Sequence, residues 1–349
     1  FIFSTNVDAQ WINQYNSPGT DFYDIEFINN KTGWVCGTAG TILKTTNAGV
    51  NWIAQVTNVT PPLFGIHAVN ENVLYCVGSL SSILKTTNSG NNWIALTGIN
   101  SGYKAVFFIN ELTGWISGNH PIMTKTTDGG KSFINQFLNM TPQDLYFKDS
   151  LNGIGCSHVA TIARTTNGGD VWTIDQYYSV SNGSGDFEGM SFINDSIGYI
   201  AAANRLVYKT TNFGATWDSI SYVYNSLAPQ CIKFVNDSVG YCAGSGGEIF
   251  ITKDRGITWT QQSNQIGGYI YDINGFKDSL WVCASLGKIA FTSNGGVHIQ
   301  NISSEIPSSF NLHQNYPNPF NPSTTIRFFI RSKDNYKLEI FNTLGKSID

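Results

Sequence analysis

The chain has 349 residues, of which 41% are hydrophobic and only 13% charged, and its net charge is −4. The apolar fraction is ample for a large core, while the charged fraction is about half of the usual ~25%. With no Lys/Arg cluster, nucleic acid and anionic membrane are excluded as main partners, and no apolar run reaches the ~20 residues of a transmembrane helix.

Residues 1–9, FIFSTNVDA, read as the remnant of a signal peptide: Phe1, Ile2 and Phe3 end an apolar segment, and Val7-Asp8-Ala9 suits a small-residue cleavage site before Gln10. The alternative is a degenerate turn motif, because Asn6 stands 41 residues before Asn47. Residues 11–15, WINQY, then read as a lone strand.

From there one phrase returns throughout. KTTNAGVNW (44–52) is followed by KTTNSGNNW (85–93), KTTDGGKSF (125–133), RTTNGGDVW (164–172), KTTNFGATW (209–217) and the looser ITKDRGITW (251–259) and FTSNGGVHI (291–299). The Asn or Asp side chain bonds to backbone N–H groups just downstream and nucleates a turn. The Gly two residues on suits a positive φ, and the flanking Thr and aromatic residues favour strands. Each copy therefore predicts a hairpin, with the Trp opening its second strand as an anchor between packed sheets.

The turn residues Asn47, Asn88, Asp128, Asn167, Asn212, Asp254 and Asn294 are spaced by 41, 40, 39, 45, 42 and 40. A period near forty with several short strands per unit is that of a β-propeller blade. Each unit has an inner strand (23–28, 64–69, 105–109, 144–147, 189–193, 231–235 and 271–276), a second strand and the hairpin pair. The chain is thus expected to be all-β, with a seven-bladed β-propeller over residues 10–302. Residues 11–15 are expected to complete the seventh blade as its outermost strand, which closes the ring and removes an exposed edge.

Five of the six cysteines (Cys36, Cys76, Cys156, Cys242 and Cys283) occupy one position on the second strand, where the other units carry Ser117 and Ala201. Small residues alternating at one site indicate tight packing. Equivalent sites in successive blades are expected to lie too far apart for a disulfide, so free buried thiols are predicted. No Cys/His spacing suggests zinc.

After residue 302 the grammar changes. SSEIPSS (303–309) is a linker, and FNLHQNYPNPFNPSTTIRF (310–328) places three prolines ahead of strands at 325–329 and 336–341. By itself this predicts a small β module.

Two resemblances follow from these residues. The pattern T-x-[DN]-x-G-x-x-[WF] resembles the Asp-box, or bacterial neuraminidase repeat, and the fuller unit TGWVCGTAGTILKTTNAGVNW (32–52) resembles the photosystem II assembly and stability factor family over nearly all of residues 21–302. Residues 310–349, through Gln314-Asn315-Tyr316-Pro317-Asn318-Pro319-Phe320-Asn321-Pro322, Thr325-Ile326 and Leu344-Gly345, resemble a type A C-terminal sorting domain of the type IX secretion system. Such a domain is a small β-sandwich, here expected to be truncated. The second resemblance implies type IX secretion machinery as a partner and a secreted or cell-surface location. It argues against a role in photosynthetic membrane assembly.

Candidate ligand-binding residues fall in two groups. Polar members of the inner strands (Asp24, Glu26, His67, Asp144, Tyr146, Glu188, Lys233 and Asp272) are expected to line the central channel. Loop candidates are His120 and His158, in equivalent turns of adjacent blades, Arg205, and Tyr177 and Tyr178 in the long connection 177–186. The two histidines have no evident third ligand, so no metal and no cofactor is expected. The Asp-box repeat also occurs in sialidases, which resemble one another in an arginine cluster with a Tyr nucleophile and an acid. Here Arg164 and Arg255 belong to turn motifs and only Arg205 remains, so no catalytic set is assembled. The expected function is a non-enzymatic binding or scaffold module with a protein or glycan ligand. The alternative is a carbohydrate-active or glycan-binding propeller, with Tyr177, Tyr178, Tyr222, Tyr224 and Tyr269 stacking on sugars.

Overall fold

Each repeat folds as one four-stranded antiparallel sheet, and seven such sheets are present among the described residues. The computed structural model describes residues 11–97, 102–118, 120–158, 160–176, 185–223, 228–262, 264 and 266–295, and the backbone of four two-residue strands between 311 and 348. The chain divides into a unit of residues 8–298 and one of residues 1–7 and 299–349. In the latter, Asn311–Leu312 pairs with Phe328–Phe329, and Ile340–Phe341 pairs with Ser347–Ile348. The remainder of the sorting-domain reading lies outside the described residues, as do the signal-peptide remnant, Ile299, Tyr177, Tyr178 and Tyr224.

The inner strands are Phe22–Phe27, Leu63–Ala68, Tyr103–Phe108, Pro142–Phe147, Phe187–Phe192, Pro229–Phe234 and Ile270–Phe276. Each touches the inner strand of the next sheet, and the last touches the first, so the sheets form a closed ring. The seventh sheet is completed by Ile12–Asn16, which pairs with Lys288–Thr292 as the outermost strand. Trp11 is 4% exposed within the core of the sixth and seventh blades and donates from Nε1 to Gln262 Oε1 at 3.0 Å. The expected ring closure is therefore present, shifted by one residue. Its physical sense is that opening the ring costs a full strand ladder and a buried indole at once.

The repeated phrase places two successive left-handed residues at the turn in each of the first six blades. Val50 N–H donates to Asn47 O, with Ala48 and Gly49 both left-handed (φ 61° and 83°), a type I′ hairpin turn. Asn47 Oδ1 accepts from Asn51 N–H at 2.9 Å. Sequence reasoning assigned the preceding threonine only a strand preference, but its hydroxyl organises the turn. Thr45 Oγ1 accepts from Gly49 N–H at 2.8 Å and donates to Asn47 Oδ1 at 3.0 Å. Thr86, Thr126, Thr165, Thr210 and Thr252 repeat both bonds, and each is almost fully buried. The turn then docks on its own blade: Ala48, Ser89, Gly129, Gly168, Phe213, Arg255 and Gly295 each donate a backbone N–H to the turn joining the first two strands.

Blades adhere through an aromatic staircase. The second-strand aromatic of one blade stacks on the sixth inner-strand residue of the next, as in Trp281 on Phe27, Tyr75 on Phe108, Trp115 on Phe147 and Tyr199 on Phe234, with centroids 3.5–3.7 Å apart. The other side of that Phe meets the turn-motif Trp of its own blade edge-on, as in Phe27–Trp52, Phe147–Trp172, Phe192–Trp217 and Phe234–Trp259. The turn-motif Trp is thus an anchor, as expected, but it braces an inner-strand ring rather than reaching the next sheet alone. The motif lysine crosses the seam: Lys44 Nζ donates to Ser89 O at 2.8 Å and Lys85 Nζ to Gly129 O at 2.9 Å, each above an aromatic ring.

All six cysteines are free and buried. Those of the second strand share their packing position with Ser117 and Ala201, which are also wholly buried. Burial pushes the thiols of Cys36, Cys156, Cys231 and Cys283 well up from the ordinary range, so they are unreactive at neutral pH.

Candidate functional site: the mouth of the channel

Every inner strand carries a β-bulge at its second residue. The register skips Tyr23 between Phe22 and Asp24, and the equivalent residue in each of the other six blades. Simple alternation would send the second residue into the sheet interface. The bulge instead turns both the second and third residues toward the channel, while the first is buried against the neighbouring sheet in every blade.

The second residues form the rim: Tyr23, Phe64, Lys104, Gln143, Glu188, Gln230 and Tyr271. They line a cavity of about 140 Å³ together with Asp24, Asp144 and Asp272. Tyr23 lies 5.0 Å from both Phe64 and Tyr271, and Lys104 Nζ sits 5.5 Å above the Phe64 ring. One arc of the rim is therefore aromatic with a cation at its end, and the other is amide and carboxylate.

Three of the predicted residues occupy the third position and already serve the scaffold. Asp24 accepts from Ile66 N–H at 2.7 Å, Asp144 from Met190 N–H at 2.9 Å, and Asp272 from Ile25 N–H at 3.3 Å. Each ties its blade to the inner strand of the next one. Burial pushes all three carboxyls up, Asp144 to about 6. Asp24 and Asp272 face one another across the first and seventh blades, and after burial the charge of Asp272 pushes Asp24 up further.

Below them Glu26, His67, Tyr146 and Lys233 occupy the fifth position with Phe107, Ser191 and Asn274. His67 Nε2 donates to Phe108 O at 3.0 Å, which leaves Nδ1 as an acceptor 3.8 Å from Glu26 Oε1. Burial drives His67 down to about 4 and Glu26 up to about 7, with Asp272 adding to the latter and Lys233 opposing it. The imidazole is therefore neutral at pH 7, facing a carboxyl that gains its proton as the pH falls through about 7. Asn274 Nδ2 donates to Glu26 Oε2 at 2.9 Å. His67 stacks on Phe107, and Phe107 meets Tyr146 edge-on.

The predicted residues thus separate. Asp24, Asp144, Glu188 and Asp272 share one cavity, and Glu26, His67, Tyr146 and Lys233 form the layer beneath. Arg205 is an exposed turn residue with φ 73° and does not reach the mouth. Arg164 approaches Asp175 on an outer strand at 3.8 Å, and Arg255 lies in its turn, so the arginines do not converge. His158 joins not His120 but Asp186 and Glu188. Sequence reasoning missed Tyr23, Phe64, Lys104, Gln143, Gln230 and Tyr271. Their signal was present as a column of mixed polar and aromatic residues between a fixed apolar residue and the channel aspartates, but no residue type announces a bulge.

These features define a class: a seven-bladed propeller whose channel mouth is a small, mixed aromatic and charged recess on a rigid ring. The chain belongs to the photosynthesis system II assembly factor YCF48 family, whose sequence profile matches residues 4–100 and 133–301. Among solved structures it is similar to YCF48 bound to a D1 peptide, with a TM-score of 0.69 at 17% identity, covering 81% of this chain and 94% of that one. It is likewise similar to YCF48 from Cyanidioschyzon merolae, with a TM-score of 0.67 at 15% identity, covering 81% and 98%. The WD40 β-propeller domain of Doa1 gives a TM-score of 0.65 at 13% identity, covering 79% and 94%. No curated protein matches the chain in sequence.

Proposed function

We propose that the propeller is a non-enzymatic binding module that captures an extended polypeptide segment of a protein partner at the channel mouth. The observation that carries this is the recess of about 140 Å³ with its aromatic arc and Lys104. It is smaller than the ~300–1,000 Å³ typical of small-molecule sites and is the size of a side chain or chain terminus. A family relative has been solved with a peptide bound, which supports the same mode here. The three aspartates at the mouth are committed to backbone N–H groups of the next blade, which argues against their acting as an acid/base pair on a glycan.

In this reading the module works outside the cell. Residues 310–349, with their resemblance to a type A sorting domain, are the basis for assigning export by the type IX machinery and a secreted or surface location. Expressing the full-length gene product in a type IX-competent host and in its type IX-deficient mutant tests that part: equal release from both would refute it. For binding, a peptide library displayed on phage is panned against the full chain and hits are measured by fluorescence polarisation. Tyr271→Ala and Lys104→Glu are expected to weaken the selected peptides. Selected peptides that bind both variants as well as the parent, or hits on a glycan array with none from the library, would move the site elsewhere or favour the glycan-binding alternative.

A further inference from the structure

Independently of the peptide reading, we infer that His158, Asp186 and Glu188 form a site for a first-row divalent transition-metal ion on the rim between the fourth and fifth blades. His158 follows the second strand of the fourth blade, Gly153–Ser157. Asp186 immediately precedes the inner strand of the fifth, Phe187–Phe192, and Glu188 is its bulged second residue. Asp186 and Glu188 flank Phe187, which is wholly buried in the core. Both meet the imidazole of the neighbouring blade.

The donor atoms suit a metal. His158 Nδ1 lies 3.6 Å from Asp186 Oδ2 and 3.7 Å from Glu188 Oε1, and the three ligand atoms fall within 4.8 Å of one another. Donors so placed surround a point that bonds of ~2.0–2.2 Å reach with shifts of a few tenths of an ångström. His158 Nδ1 is also buried and has no hydrogen-bond partner, although its ring is 43% exposed. An orphaned nitrogen lone pair directed at two carboxylates is repelled by them unless a proton or a cation lies between. The side chains remain partly open to solvent, which gives an ion access.

The ligand set selects the ion. One imidazole with two carboxylates favours Zn²⁺, Mn²⁺ or Fe²⁺ over Ca²⁺ and Mg²⁺, which take oxygen donors almost exclusively. Three protein ligands leave further coordination positions open, unlike the closed set of a structural zinc. The positive charge of Lys104, which acts on Glu188 across the mouth, opposes the ion and limits affinity.

The test is calorimetric. The full chain, stripped with chelator, is titrated with ZnCl₂, MnCl₂ and CaCl₂. One Zn²⁺ or Mn²⁺ per chain is expected, with Ca²⁺ at least ~10-fold weaker. His158→Ala, Asp186→Asn and Glu188→Gln are each expected to lower affinity by roughly 10–100-fold or more, while His120→Ala leaves it unchanged. Circular dichroism and urea midpoints of the metal-free variants establish that they are folded; the near-isosteric Asn and Gln variants keep the test valid if His158→Ala is not. Absence of saturable binding, or stoichiometric binding retained in Asp186→Asn and Glu188→Gln, overturns the site.

Discussion

Replacing Thr86 by Val separates two accounts of the repeated threonine. If it is present for strand preference alone, Val is neutral or better, since both residues are β-branched. The structure gives another outcome. Thr86 is 0% exposed, its Oγ1 accepts from Gly90 N–H at 2.9 Å, and it donates to Asn88 Oδ1 at 2.9 Å. Val keeps the volume and removes both bonds, leaving a buried N–H without an acceptor. That costs ~1–3 kcal/mol, and the lost donor adds ~0.5–1.5 kcal/mol. Thr86→Ser keeps the hydroxyl and removes one methyl, at ~1 kcal/mol. In thermal unfolding the order is therefore parent, then Ser, then Val, with Val lower by about 2–7 °C for a unit of this size. Hydrogen exchange of the Gly90 amide, read separately, is expected to accelerate in the Val variant only. A Val variant as stable as the parent, or more stable than the Ser variant, would refute the hydroxyl's role.

Three further outcomes follow from the same geometry. Trp11→Ala empties a site in the sixth–seventh blade core and is expected to cost ~3–5 kcal/mol, measured as a lowered urea midpoint; a change below ~1 kcal/mol would mean that Ile12–Asn16 does not close the ring. Glu26 titrates near 7 in the folded chain against 4.5 ordinarily, so between those values the folded state binds more protons and stability falls as pH rises, by up to about 3 kcal/mol. Glu26→Gln is expected to flatten that part of the urea-midpoint profile, and an unchanged slope between pH 4.5 and 7.5 would contradict the assignment. Trp115→Leu removes the stack on Phe147 and the Nε1 bond to Gly168 O at 3.1 Å, with an expected loss of ~2–4 kcal/mol by denaturant titration; a loss no larger than that of an exposed substitution such as Ile53→Ala would show that the staircase does not hold the blades.

The sequence by itself determined the architecture. A turn phrase returning about every forty residues states how many sheets there are, where each hairpin turns and which strand is innermost, because turn chemistry and side-chain alternation are local and repeat with the chain. Even the closure by residues 11–15 was legible, since the seventh motif carries Ile299 where the others carry Trp or Phe, and WINQY is a strand without a sheet.

The tertiary structure alone decided the site. Seven bulges, one per inner strand, turn Tyr23, Lys104 and Tyr271 into the channel, and a bulge is a matter of register between strands that no single residue encodes. Proximity across a seam is equally silent in the chain. His158 occupies the turn equivalent to that of His120, yet it meets Asp186 and Glu188, 28 and 30 positions away, because the packing of successive blades places the end of one blade's second strand beside the start of the next blade's first. The aspartates of the third position show the converse. Their residue type suggested a ligand, but burial beside the next blade's N–H groups gives them a scaffold partner first, and only coordinates reveal which demand a carboxylate has already met.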